Sequence, residues 1–187
     1  MKKLLLLIAL FICSFVQAQD YNGLLEKANS DFEDGMYRNA IENATKAIAL
    51  NQSSIDARWL RARASLTSNA DDKAFVTAID DLNFIIANNG ATARVYNALG
   101  VAETELGSSI FRFKRAKENT GISDDNSSYI KEQTAYYNEA ILHYENAKNA
   151  FKKSAEIKPE TAGDIKYKIQ DSDRNIAKIK EEIKALK

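Results

Sequence analysis

The 187-residue sequence is poor in the residues that punctuate or staple a chain: one Cys, one Pro and seven Gly. A single thiol excludes an internal disulfide and a cysteine-rich zinc site. So little Pro and Gly leaves few turns, which argues against a sandwich or barrel built from many hairpins. The formal charge is zero, with 26 basic and 26 acidic side chains, so the chain lacks the basic footprint of a general nucleic-acid binder. What it does contain is 45% hydrophobic and 28% charged residues, too apolar for disorder and suited to a helical, all-α domain.

The N-terminus reads as an address. Lys2 and Lys3 precede a thirteen-residue apolar run, Leu4 to Val16, and Val16-Gln17-Ala18 offers aliphatic and small residues before Gln19. This is the layout of a secretory signal peptide over residues 1–18, cleaved between Ala18 and Gln19, and the run is short for a spanning helix. A retained anchor is the alternative. Cys13 does not mark a lipoprotein site, because Leu10-Phe11-Ile12 before it lacks small residues and Cys13 lies inside the run. Cleavage would leave about 169 residues with 24 basic and 26 acidic side chains and no thiol. The expected location is exported, periplasmic or extracellular, with no membrane span after signal removal.

Beyond the signal, helical apolar spacing recurs with small residues at fixed places. From Tyr21 to Ser54, one helix runs through Leu24, Leu25, Ala28 and Phe32 to a turn at Gly35. A second runs through Tyr37, Ala40, Ile41, Ala44, Ala47 and Ile48. Small residues at Ala28, Ala40 and Ala47 let two helices approach closely, and Tyr37 can fill the gap they leave. The run Gly35-Met36-Tyr37-Arg38-Asn39-Ala40-Ile41 through Ala47-Ile48-Ala49-Leu50 resembles the tetratricopeptide repeat, a helix–turn–helix unit of about 34 residues.

A second copy covers about 55–92, with Trp59 and Ala62 on its first helix and Phe75, Ala78, Ile79, Leu82, Ile85 and Ile86 on its second. Ala40 to Ala78 is 38 residues, so the extra length is placed in the polar stretch Thr67 to Asp72. A third, about 93–159, opens with Tyr96, Leu99, Gly100 and Ala102 and closes with Tyr144, Ala147, Phe151, Ala155 and Ile157 before Pro159. The intervening segment, 108–143, is either a degenerate fourth repeat or an elongation of both helices. Elongation is favoured. Leu99, Ala102, Leu106, Ile110, Phe113 and Ala116 keep phase outward, and Ile130, Thr134, Tyr137, Ile141, Tyr144 and Phe151 keep one stripe back, with a gap at Lys148. Arg112 occupies a position where a fourth repeat needs a small residue. Gly107 followed by two serines is the point at which the outgoing helix could break, and Ser127 or Ser128 is the expected cap of the return helix.

The last segment, 161–187, starts with Thr161 and Asp164 in capping register and continues through Ile165, Ile169, Ser172, Ile176, Ile179, Ile183 and Leu186. It reads as the capping helix that a repeat stack requires, with self-association into a homo-oligomer along this seam as the alternative.

Little in the sequence carries chemistry. His143 is the only histidine and sits inside a helix, where a surface or core-edge role is expected. Ser123-Asp124-Asp125-Asn126 lacks the spacing, central Gly and terminal Glu of an EF-hand. No phosphate-binding glycine motif and no HExxH occurs. No catalytic residue, metal site or cofactor is expected. Arg58, Trp59, Arg61 and Arg63 form the most distinctive cluster, with Trp59 and Arg63 sharing one helix face.

The resemblance implies an all-α solenoid of about three helical hairpins, the third elongated, plus a C-terminal capping helix. It implies further that the first helix of each pair lines a concave groove. The positions that match are Leu25, Asn29 and Phe32, then Trp59, Arg63 and Leu66, then Asn97, Val101 and Thr104. Leu25 and Asn97 stand where a carboxylate-clamp member of the family carries Lys, and Val101 where it carries Arg, so chaperone-tail capture is not expected. The implied function is a non-catalytic exported scaffold or adaptor that takes a protein or peptide partner. A self-assembling envelope protein and a hydrolase with a carboxylate-only site are the alternatives.

Overall fold

The computed structural model describes residues 20–68, 71–118 and 126–186, with side chains described outside 113–127. The expected signal segment and its Ala18–Gln19 junction lie outside these residues, as do Ser123, Asp124 and Asp125. Seven α-helices are described: α1 (20–33), α2 (Tyr37–Leu50), α3 (Ile55–Thr67), α4 (Asp72–Ala87), α5 (Ala93–Glu118), α6 (Asn126–Ile157) and α7 (Ala162–Ala185). No strand occurs among the described residues. The chain clusters into two compact units divided between residues 69 and 70, so α1–α3 belong to one and α4–α7 to the other. The division falls inside the second expected repeat.

In the first unit the small residues do what their spacing suggests. Ala28, Ala40, Ala44, Ala47 and Ala57 are fully buried, and Ala28, Ala44 and Leu60 bring α1, α2 and α3 into one cluster. Gly35, at φ +74°, ends α1. There the Met36 amide donates back to the Asp31 carbonyl at 2.7 Å, closing the turn into α2. Beneath that turn the buried Asn43 amide donates to the Asp31 carboxylate at 2.7 Å, tying α2 to α1. Ser54 caps α3 by accepting from the Ala57 amide at 3.0 Å, and its hydroxyl also bonds Tyr21 at 2.6 Å.

In the second unit α5 runs unbroken for 26 residues and α6 for 32. They form one elongated antiparallel pair, with α6 about 48 Å long at 1.5 Å per residue. Gly107 does not interrupt α5. A β-carbon there would lie 3.1 Å from the Ala140 carbonyl, so the position serves the close approach of α6. Tyr137, Tyr144 and Phe151 form the buried stripe of α6. On α5, Phe111 is buried where Ile110 was expected; Ile110 is only partly covered. The reason is that α5 packs into a cluster that α7 shares, with Ile176 and Ile179 beside Phe111, Tyr137 and Tyr144. Lys148, the gap in the stripe, reaches Asp173 on α7 at 2.6 Å and Glu145 at 3.1 Å.

Helix α7 spends its isoleucine seam inside its own chain. Ile165, Ile176 and Ile179 are buried, and Ile169, Ile183 and Leu186 are partly covered by the α5–α6 pair. The polar interruption, Ser172, is fully buried and donates to the Lys168 carbonyl at 3.1 Å. The expected Thr161 cap is not made. A 3-10 turn, Pro159–Thr161, precedes α7 and leaves Thr161 in a helical conformation, so its hydroxyl turns back to the Lys158 carbonyl at 2.7 Å. Helix α6 starts at Asn126, one or two residues before the expected cap.

Candidate functional site

The nine expected groove positions lie on α1 and α3 in the first unit and on α5 in the second. In the first unit the Arg63 guanidinium of α3 lies over the Phe32 ring of α1, 4.2 Å from its centroid. Phe32 in turn meets Tyr37 edge-on at 5.5 Å. Leu25 and Phe32 also pack on the Ala28–Ala44–Leu60 cluster, so they are partly structural. Asn29 is exposed, while Trp59, Arg63 and Leu66 are half-buried. The neighbouring arginines turn elsewhere: Arg61 donates to Thr45 at 3.2 Å and Arg58 to the Gln52 carbonyl at 3.1 Å.

In the second unit Asn97, Val101 and Thr104 of α5 face α7. The Asn97 side chain accepts from the Lys168 ammonium at 2.9 Å, and Lys168 lies over the Phe151 ring at 5.3 Å. Val101 packs against the cluster of Ala147, Phe151 and Ile165. The Thr104 hydroxyl donates to the Gly100 carbonyl at 2.8 Å. Between α5, α6 and α7 remains a cavity of about 400 Å³, walled by Val101, Thr104, Phe151 and Tyr167 with two basic side chains, Lys168 and Arg174, and two acidic ones, Glu105 and Asp171. Lys168 and Tyr167 were not among the expected site residues. Their signal in the sequence is faint, because they sit on the polar side of an isoleucine seam that reads as a cap.

Several buried polar groups on α5 and α6 are engaged with one another. His143 bonds the buried Glu103 carboxylate at 2.6 Å, and Asn146 reaches the other oxygen at 3.5 Å. Burial pushes the Tyr144 hydroxyl above its ordinary pKa, partly offset by a hydrogen bond with Ser108. Lys148 is raised by its hydrogen bonds to Asp173 and then Glu145. Among the described residues, no group of three or more His, Cys, Asp or Glu side chains could hold a metal ion. No helix among them is long and apolar enough to cross a membrane.

The helical hairpins, small-residue contacts and capping helix define an all-α, tetratricopeptide-like helical repeat of the solenoid class. Among solved structures, the chain is similar to the first TPR domain of the human RPAP3 protein, determined by NMR. The likeness has a TM-score of 0.55 at 20% identity and covers 86% of this chain and 95% of that one. No protein-family model matches the sequence, and no curated protein matches it.

Proposed function

We propose that this protein is a non-catalytic, exported adaptor that holds a protein or peptide partner on the faces of its first-of-pair helices. The observation that carries the reading is the Arg63–Phe32 contact. It sets an aromatic side chain and a guanidinium from two helices on one face, with the half-buried Trp59 on the same helix as Arg63. Aromatic and Arg side chains are the usual energetic centres of interfaces. The likeness to a TPR domain supports the same reading by analogy of fold.

Export rests on the sequence of residues 1–18. Processed protein whose first residue is Gln19, recovered from the envelope or medium, is the expected result; intact protein retained in the cytoplasm contradicts it. For partner binding, the mature chain is used to capture proteins from envelope extracts of its native host. Trp59→Ala with Arg63→Glu is expected to abolish capture while thermal unfolding stays cooperative. Undiminished capture by the doubly substituted, folded chain overturns the reading. The self-assembling alternative gains nothing from α7, since its isoleucine seam is covered within the chain.

A further inference from the structure

A second cavity of the α4–α7 unit, of about 370 Å³, lies among α4, α5 and α6. It uses a different stripe of α5 from the groove positions: Tyr96, Leu99 and Glu103 line it, one and two turns apart on a single helix face. Three side-chain amides converge there, Asn83 of α4 with Asn146 and Asn149 of α6. Asn83 and Asn149 are exposed and have no hydrogen-bond partner among the described residues. Both stand inside long helices, where asparagine is a poor helix former whose side chain competes for the backbone. The fold gains nothing from either.

Between these amides lies the Glu103 carboxylate, 6% exposed. One of its oxygens is 2.6 Å from His143 Nδ1, and the other accepts from the Asn146 amide at 3.5 Å. A carboxylate oxygen has two lone pairs, so both oxygens keep capacity for a further donor. Leu99 and the half-buried Tyr96 add apolar surface. The Lys153 ammonium also lines the cavity but is matched by Glu156 at 2.7 Å, so nothing here calls for an anion.

Such a lining suits a neutral ligand dense in groups that donate and accept from one atom. A hydroxyl does both, giving its proton to a carboxylate or amide oxygen while accepting from an amide N–H. Neighbouring hydroxyls on a ring can bond both oxygens of one carboxylate, and bonds to a charged acceptor are the stronger kind. The C–H face of a sugar ring then covers Leu99 and Tyr96. A peptide main chain fits less well, because its donor and acceptor sit on separate atoms and it offers the carboxylate single N–H groups.

We infer that this cavity binds a neutral saccharide. Glu103 accepts from adjacent ring hydroxyls, Asn83, Asn146 and Asn149 bond the outer ones, and Leu99 and Tyr96 carry the apolar face. The site is separate from the partner-binding positions proposed above, and neither assignment depends on the other.

The test titrates the mature chain with cellobiose, maltose, lactose and N,N′-diacetylchitobiose, one at a time. Triethylene glycol and acetyl-trialanine amide serve as controls for ether oxygens and for peptide main chain. Binding is followed by the backbone amide resonances of Leu99 and Glu103 and the side-chain amide resonances of Asn83 and Asn149. At least one disaccharide is expected to shift all of these saturably at low-millimolar concentration, and neither control is. Asn83→Ala with Asn149→Ala, both at exposed positions, is expected to weaken that binding about tenfold through two lost hydrogen bonds. Glu103→Gln, which keeps the side-chain shape, is expected to weaken it by at least as much. No saturable shift with any disaccharide, equal shifts with the tripeptide, or undiminished affinity in the folded Asn83–Asn149 variant overturns the proposal. Partner capture is expected to be unchanged in that variant, so loss of sugar binding and loss of partner binding are read separately.

Discussion

The Arg63 guanidinium lies over the Phe32 ring at 4.2 Å, joining α1 and α3 across thirty-one positions of sequence. A cation on an aromatic face contributes about 0.5–1 kcal/mol when partly exposed. A double-mutant cycle with Arg63→Ala and Phe32→Leu, followed by urea unfolding, is expected to return a coupling of about that size. Zero coupling would mean that the two side chains are adjacent without being attracted.

Gly100 is occupied from outside by Phe151. A β-carbon at residue 100 would lie 2.5 Å from the ring of a side chain only 2% exposed. Elsewhere in a helix, Gly→Ala stabilises by up to about 1 kcal/mol. Here the crowding dominates, and Gly100→Ala is expected to destabilise by about 1–3 kcal/mol. In a Phe151→Leu background the same substitution should cost less. An equal cost in both backgrounds would show that the ring is not the obstacle.

Lys148 links α6 to α7 through Asp173, and that hydrogen bond, followed by the one to Glu145, raises its pKa above the ordinary 10.5. A raised lysine pKa contributes stability that is fully present below the unfolded value and is lost as pH rises through the folded one. Asp173 is 55% exposed, so Lys148→Met is expected to cost about 0.5–1 kcal/mol at neutral pH. The stability difference between wild type and variant should hold constant up to about pH 10 and shrink above it. A difference that instead disappears on moving from pH 7 to pH 9 contradicts this assignment.

Much of the fold is legible in residue spacing, because local rules govern it. Ala28, Ala40 and Ala47 announce close helix contacts by being small at repeat positions, and all three are fully buried. The unbroken phase of Leu99, Ala102 and Leu106 foretells an elongated α5, and Gly107 is tolerated because α6 presses against it. Contacts set by helices distant in sequence are not legible in this way. Lys148 reads as a gap in a stripe, since its partner Asp173 lies on α7. His143 reads as a lone helical histidine, since Glu103 is forty residues away in the chain. Asn97, Val101 and Thr104 read as groove positions from the resemblance, yet the sequence gives no sign that Lys168 reaches across from the capping helix.

The central claim is that a partner sits on the first-of-pair helix faces and not on the helices behind them. The most direct measurement places a photo-crosslinking amino acid in the full chain, expressed in its native host, at the exposed Asn29 of α1 or the exposed Glu42 of α2. Discrete partner adducts from position 29, absent from position 42 at equal protein levels, are the predicted result. Adducts from position 42 with none from position 29 would contradict it.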